Sequence, residues 1–168
     1  MGNVISFRPL PPSPFLGKWL LDPLSVSRNK VVKQTIGEAG LKKLWACGSM
    51  EERAQCVADD AELANRYQSV VHLGRKKSLV VTLETICWSH AQGASLPAEE
   101  AVLPVMRVAV EGRKVIVHSV ETRPGRRGRP LAYVFRRQKQ WLLVGERYSG
   151  REAQFFPRSP VQRFYRSI

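Results

Sequence analysis

The sequence predicts an α+β protein in which two N-terminal helices pack on a curved antiparallel β-meander, closed or nearly closed into a barrel. Three observations predict it. Apolar residues recur at helical spacing between residues 27 and 67. From residue 78 onward the apolar period changes to two. Glu111–Gly112 and Gln138–Gln140 then interrupt runs of β-branched and aromatic residues, as hairpin turns do. The 168 residues suit one domain with a real core, expected over 15–150. It lies between an extended Pro-rich arm, 1–14, and a basic, aromatic tail, 151–168.

Pro9, Pro11, Pro12 and Pro14 keep the arm out of helix and favour polyproline II. "FLGKWLLDPLS" (15–25) is the most apolar stretch of the first fifty residues and reads as the first strand, with Trp19 plugging one end of the barrel. Ser27 can cap the first helix, whose Val32, Ile36, Ala39 and Leu44 share one face. Gly37 and Gly40 weaken that helix by about 1 kcal/mol each relative to Ala. Ser49 and Glu52 form a capping box for a second helix running to about Tyr67, with Met50, Ala54, Val57, Ala61 and Ala64 in step. Residues 78–88 alternate as one strand; 102–110 with 113–121, and 130–137 with 141–149, make two hairpins of a four-strand meander. Beyond residue 150, Phe155, Phe156, Phe164 and Tyr165 mark a last edge strand or a docked tail.

The net charge of +13 implies an anionic partner, high solubility, or both. It is concentrated late: residues 101–168 hold 15 Lys and Arg against 4 Asp and Glu. Three cysteines without repeating spacing, Cys47, Cys56 and Cys87, do not make a disulfide framework, and no apolar run is long enough to span a bilayer. No secretory signal is visible, so a cytoplasmic location is the expectation. "MGNVIS" fits a myristoylation pattern with Gly2 as acceptor, an alternative that would make the chain a lipid-anchored effector.

Gly17, Trp19, Asp22 and, one place early, Ser25 resemble the "G-x-W-x-x-D-x-x-x-S/T" opening of small bacterial lipocalin-like barrel proteins. The resemblance implies a tryptophan strand, one or two helices, then a closing meander; many relatives are exported lipoproteins, and this chain carries no lipobox. An NTF2-like cone, with helices first and long meandering strands after, is the rival architecture. Both imply a curved sheet that can enclose a pocket.

No catalytic signature emerges, and a non-enzymatic binding protein without metal or cofactor is expected. Cys87-x-x-His90 is half a zinc site with no second half. His72, His90 and His118 stand near no nucleophile motif. Asp59–Asp60 occupies adjacent helical positions, and Glu99–Glu100 a Pro-bounded loop, so neither pair makes an acid/base dyad. The strongest local signal is "RPGRRGRP", a flexible connection carrying Arg123, Arg126, Arg127 and Arg129. Arg136, Arg137, Lys139, Arg147 and Arg151 extend it along the same hairpin, where Trp141 and Phe135 are expected to be structural, packed in the core or against each other across the hairpin. The leading partner is an acidic protein, as for an immunity or inhibitor protein, with Arg supplying bidentate contacts. Nucleic acid is the alternative, because "RGRP" resembles the core of AT-hook segments that enter a narrow minor groove. A third reading is an apolar ligand inside the barrel; a membrane surface is not the expected partner.

Overall fold

A computed structural model describes residues 4–6, 15–26, 30–75, 77–90, 99–147 and 161–167. The expectations resting on Gly2, Ser27, Tyr148, Arg151, Phe155 and Phe156 lie outside them. The architecture is α+β: four helices and a curled antiparallel sheet, a half-barrel in form. Strands are β1 (Val4–Ser6), β2 (Gly17–Leu21), β3 (Lys77–Val81), β4 (Thr85–His90), β5 (Glu99–Pro104), β6 (Arg107–Glu111), β7 (Lys114–Val120), β8 (Pro130–Gln138), β9 (Trp141–Arg147) and β10 (Gln162–Arg166). Helices are α1 (Lys30–Ile36), α2 (Glu38–Trp45), α3 (Met50–Ala58) and α4 (Ala61–Arg75), with a 3-10 turn at Pro23–Val26.

The two expected helices are four. Gly37, at φ 81°, breaks the first where its glycines weakened it. Asp59 and Asp60 break the second: Asp59 closes α3, and Asp60 Oδ1 accepts from Leu63 N at 3.1 Å to start α4. This pair therefore lies between helices rather than within one. Ser49 caps α3 as its sequence implies, accepting from Glu52 N, while Glu52 Oε2 reaches Gly48 N at 2.7 Å. Helix α4 runs on past Tyr67 and buries Leu63, Tyr67, Val70 and Gly74, spaced along one face.

Strand order in the sheet is β1-β6-β7-β8-β9-β10-β2-β3-β4-β5. Two runs follow the chain, β2 to β5 and β6 to β9; β10 joins them by lying between β9 and β2, and β1 and β5 stand at the two ends. The C-terminal aromatic segment is thus an inner strand, not an edge. Residues 78–88 are parts of two strands, because Thr82 makes a turn: its Oγ1 accepts from Thr85 N at 3.0 Å and Glu84 N at 3.3 Å. Glu99 and Glu100 belong to β5, opposite His90 and Ser89, rather than to a loop. Strands β5 and β6 are one stretch bent at Val105–Met106. At the bend Met106 N bonds His118 O at 2.9 Å, and Ser119 Oγ bonds Pro104 O at 2.6 Å, so β5 leans back on β7.

Two cores result. Trp19, Leu79, Val117, Phe135, Leu142 and Phe164 belong to one that fills the concave side of the sheet. Leu24, Val32, Ile36, Leu44, Leu63 and Val70 belong to the other, among the helices. Helix α4 meets the sheet at Gly74, where a Cβ would stand 2.3 Å from Leu21 O and 2.8 Å from Pro23 Cδ. Backbone cannot give way as a flexible side chain can. Gly74→Ala should therefore destabilise by about 1–3 kcal/mol despite its better helix propensity, readable as a lowered urea midpoint.

Candidate functional site at the barrel mouth

The opening motif is structural throughout. Gly17 sits at φ 122°, which a side chain would strain. Trp19 is fully buried, donates Nε1–H to Phe15 O at 2.9 Å, and lies under the guanidinium groups of Arg137 (5.2 Å) and Arg166 (4.5 Å). Trp19 is thus packed beneath two cations at one end of the half-barrel. Asp22 is fully buried and ties the two cores together. Arg53 Nη1 and Nη2 grip its carboxylate at 2.5 and 2.8 Å, Arg163 Nε at 2.9 Å, and Leu24 N donates at 3.0 Å. Arg163 also stacks 4.0 Å from the centroids of both Trp45 and Trp141, and burial pushes its pKa down. Ser25 Oγ accepts from Arg163 N at 2.7 Å and donates to Arg163 O at 2.9 Å.

Of the two expected uses, core packing holds for both Trp141 and Phe135, on opposite faces of the sheet. In the pleat of β9 Trp141 faces the helices, donating to Cys47 O at 3.2 Å and meeting Tyr165 edge-on, while Phe135 faces Phe15 and Tyr133 in the other core. Arg53 and Arg163 were missed by sequence reasoning. The available signal was Arg53 itself, three residues after Met50 and four before Val57, on the stripe where α3 turns apolar residues inward.

The nine basic residues expected to share one surface do not. Strand β8 is nine residues long, roughly 25–30 Å, and its two ends carry separate groups. Arg123, Arg126, Arg127 and Arg129 stand at the β7–β8 connection. Arg136, Arg137 and Lys139 stand at the β8–β9 turn, at the plugged end, where Arg137 is committed to Trp19 and the Lys139 side chain packs over Gly48. Arg147 pairs with Ala132 near the first group; Arg151 lies outside the described residues.

The connection is also less flexible than its glycines suggest. Glu121 N bonds Arg129 O at 2.9 Å, Gly128 N bonds Glu121 O at 2.8 Å, and Arg126 N bonds Arg123 O at 3.1 Å. Glu121 clasps Arg123 through both oxygens, at 2.7 and 3.0 Å, and this contact holds the Glu121 carboxyl below its usual range. Arg127-Gly128-Arg129 is therefore folded into a turn rather than extended.

Beneath this loop the barrel opens into a cavity of about 540 Å³. Trp88 and Tyr133 form its aromatic wall, with centroids 5.5 Å apart; Lys77, Glu121, Arg123 and Glu146 are among its polar groups. Lys77 Nζ bonds Gln162 Oε1 at 3.0 Å and lies 5.1 Å from the Trp88 ring centroid. Burial pushes the Lys77 pKa down against the pull of Glu146, and burial pushes the Tyr133 phenol up. The Trp88 indole N–H is shut off from solvent and has no hydrogen-bond partner among the described residues. Trp19, Phe135 and Phe164 belong to the packed core of the same sheet.

Cys87 and His90 are three apart on β4 and face opposite sides of the sheet, so they cannot share a metal ion. Among the described residues no cluster of three His, Cys, Asp or Glu side chains could hold one, and no helix is long and apolar enough to cross a membrane. Compared with protein-family models, with curated proteins and with solved structures, the chain matches none.

Proposed function

We propose that the protein is a non-enzymatic, cytoplasmic binding protein that docks on an acidic protein partner by the mouth end of a lipocalin-like barrel. Two meandering runs of neighbouring strands, β2 to β5 and β6 to β9, and a bent β5–β6 stretch that pairs with β4 at one end and β7 at the other, support the barrel over the cone. One observation carries the function. Arg126, Arg127 and Arg129 are exposed on a loop already held in shape by its own hydrogen bonds and by the Glu121–Arg123 clasp. A preformed array loses little entropy on binding, and arginine grips carboxylates bidentately. The turn at Gly128 speaks against laying Arg-Gly-Arg along a minor groove.

The test compares the wild-type chain with an Arg126→Ser, Arg127→Ser, Arg129→Ser variant in affinity purification after nuclease digestion. An acidic protein retained by the wild type, and lost at least tenfold by the variant, is the expected result. Complete release by nuclease would replace this reading with nucleic-acid binding, which on duplex DNA carries a log–log salt slope of about −0.9 per phosphate contacted.

A further inference from the structure

A second opening lies at the Trp19 end, separated from the arginine loop by the length of β8, roughly 25–30 Å. It is a groove of about 750 Å³ between the first turn of α3 and the face of the sheet that meets the helices. Leu20, Tyr165 and Trp141 line it as one cross-strand row on β2, β10 and β9, and Met50 lines it from α3. Leu20, Met50 and Tyr165 are half-buried and belong to neither core, so apolar surface here meets water. Tyrosine, tryptophan and arginine around an apolar depression are the residues that most often anchor a bound partner.

The groove is also cationic. Arg137 and Arg166 line it, and Lys18, Arg136 and Lys139 stand exposed on the strands and turn around it. Glu51 is the one acidic residue among the described lining residues. Burial first, and then the charge of Arg166, push the Arg137 pKa down, so two guanidinium groups crowd one place. Each is fixed by a backbone carbonyl, Arg137 by that of Lys139 and Arg166 by that of Leu16. A guanidinium carries five N–H groups, so one held in position can still grip a carboxylate. Charge then decides the occupant. A second copy of the chain brings a net charge of +13. The longest stretches outside the described residues are not net acidic either: 7–14 carries Arg8 alone, 91–98 no charge, and 148–160 Arg151 and Arg158 against Glu152. The complementary occupant is a negatively charged segment of another protein.

We propose that this groove binds an acidic peptide segment of a partner protein, with an aromatic or aliphatic side chain against Leu20, Met50 and Tyr165 and carboxylates on Arg137 and Arg166. The site goes beyond docking at the mouth: it uses the opposite end of the half-barrel and none of the three loop arginines.

A phage-displayed library of random dodecapeptides is the probe. The bait is the full chain carrying Arg126→Ser, Arg127→Ser and Arg129→Ser, so that the mouth cannot capture acidic sequences. Enriched peptides should join a large apolar residue to two or more Asp or Glu. By fluorescence anisotropy, their labelled synthetic forms should bind bait and wild type within about threefold of each other. Tyr165→Ala should weaken them about tenfold by removing apolar wall. Gln140→Glu, at an exposed lining position, should weaken them about fivefold, and Glu51→Gln should tighten them about twofold, since each changes charge and not shape. Near-ultraviolet circular dichroism reports whether Tyr165→Ala keeps its fold, and the two exposed substitutions decide the matter if it does not. Enrichment of neutral or basic peptides, no enrichment at all, or affinities indifferent to Gln140→Glu would overturn the proposal. Self-association that Gln140→Glu abolishes would overturn it too, by placing a second copy in the groove. Mouth docking can fail while these peptides still bind, and the reverse, so the two proposals stand or fall separately.

Discussion

Asp22→Ala should cost about 3–5 kcal/mol, a large share of the 5–15 kcal/mol that holds a typical domain together. The carboxylate is fully buried and is shared by Arg53 and Arg163, themselves nearly without solvent contact. Removing it leaves two guanidinium groups in the protein interior with no counter-charge from Asp22. Among the described residues Arg53 Nε and one terminal nitrogen of Arg163 already lack hydrogen-bond partners, so the network has little slack. A chain of this size moves its melting temperature by about 2–4 °C per kcal/mol, giving an expected fall of roughly 6–20 °C by circular dichroism. Adding Arg53→Met to Asp22→Ala should recover part of the loss, because one stranded charge is then gone. A melting temperature within about 2 °C of wild type would show that solvent reaches the network.

Trp19→Ala should cost a comparable 3–5 kcal/mol by a different route. The indole is fully buried at the plugged end, and its loss opens a cavity beneath Arg137 and Arg166 while freeing Phe15 O from its donor. A graded pair isolates the parts. Trp19→Phe keeps a ring under both cations and forfeits the hydrogen bond, so about 1–2 kcal/mol of the total should follow it. Urea midpoints at constant slope provide the comparison. Equal losses for Phe and Ala would assign the whole effect to the Nε1–H bond and none to the plug.

Much of the fold is legible in particular residues. Glu111–Gly112 announces the β6–β7 hairpin, and Gly112 indeed adopts φ 60°. Ser49 and Glu52 announce α3. The misses have physical causes. The β3–β4 turn holds no Gly, Asn or Pro; the Thr82 hydroxyl does that work, and a threonine inside a β-branched run reads as strand. Gly37 breaks the helix rather than merely weakening it, because the expense of one glycine in a sequence does not reveal that its φ is positive. Of the candidate site, the arginine loop was legible and its neighbourhood was not. Arg129 and Arg136 are seven positions apart in sequence, but a strand between them sends each to an opposite end of the barrel. The cavity residues Lys77, Trp88 and Tyr133 come from three strands, and only the curl of the sheet brings them together.

The place of β10 sets a schedule for synthesis. Asp22 meets Arg163 across 141 positions, and Leu21 pairs with Phe164 on the adjoining strand. At about 5–20 residues per second, a ribosome separates those partners by roughly 7–28 s. Throughout that interval β2 can already have β3 beside it, while its other edge waits open. Native pairing of this kind is non-local and slow to nucleate. The nascent chain is consequently most exposed to wrong partners in the seconds before Phe164 leaves the exit tunnel, when an unpaired edge beside Trp19 and Leu21 is what a chaperone, or a second nascent copy, would meet first.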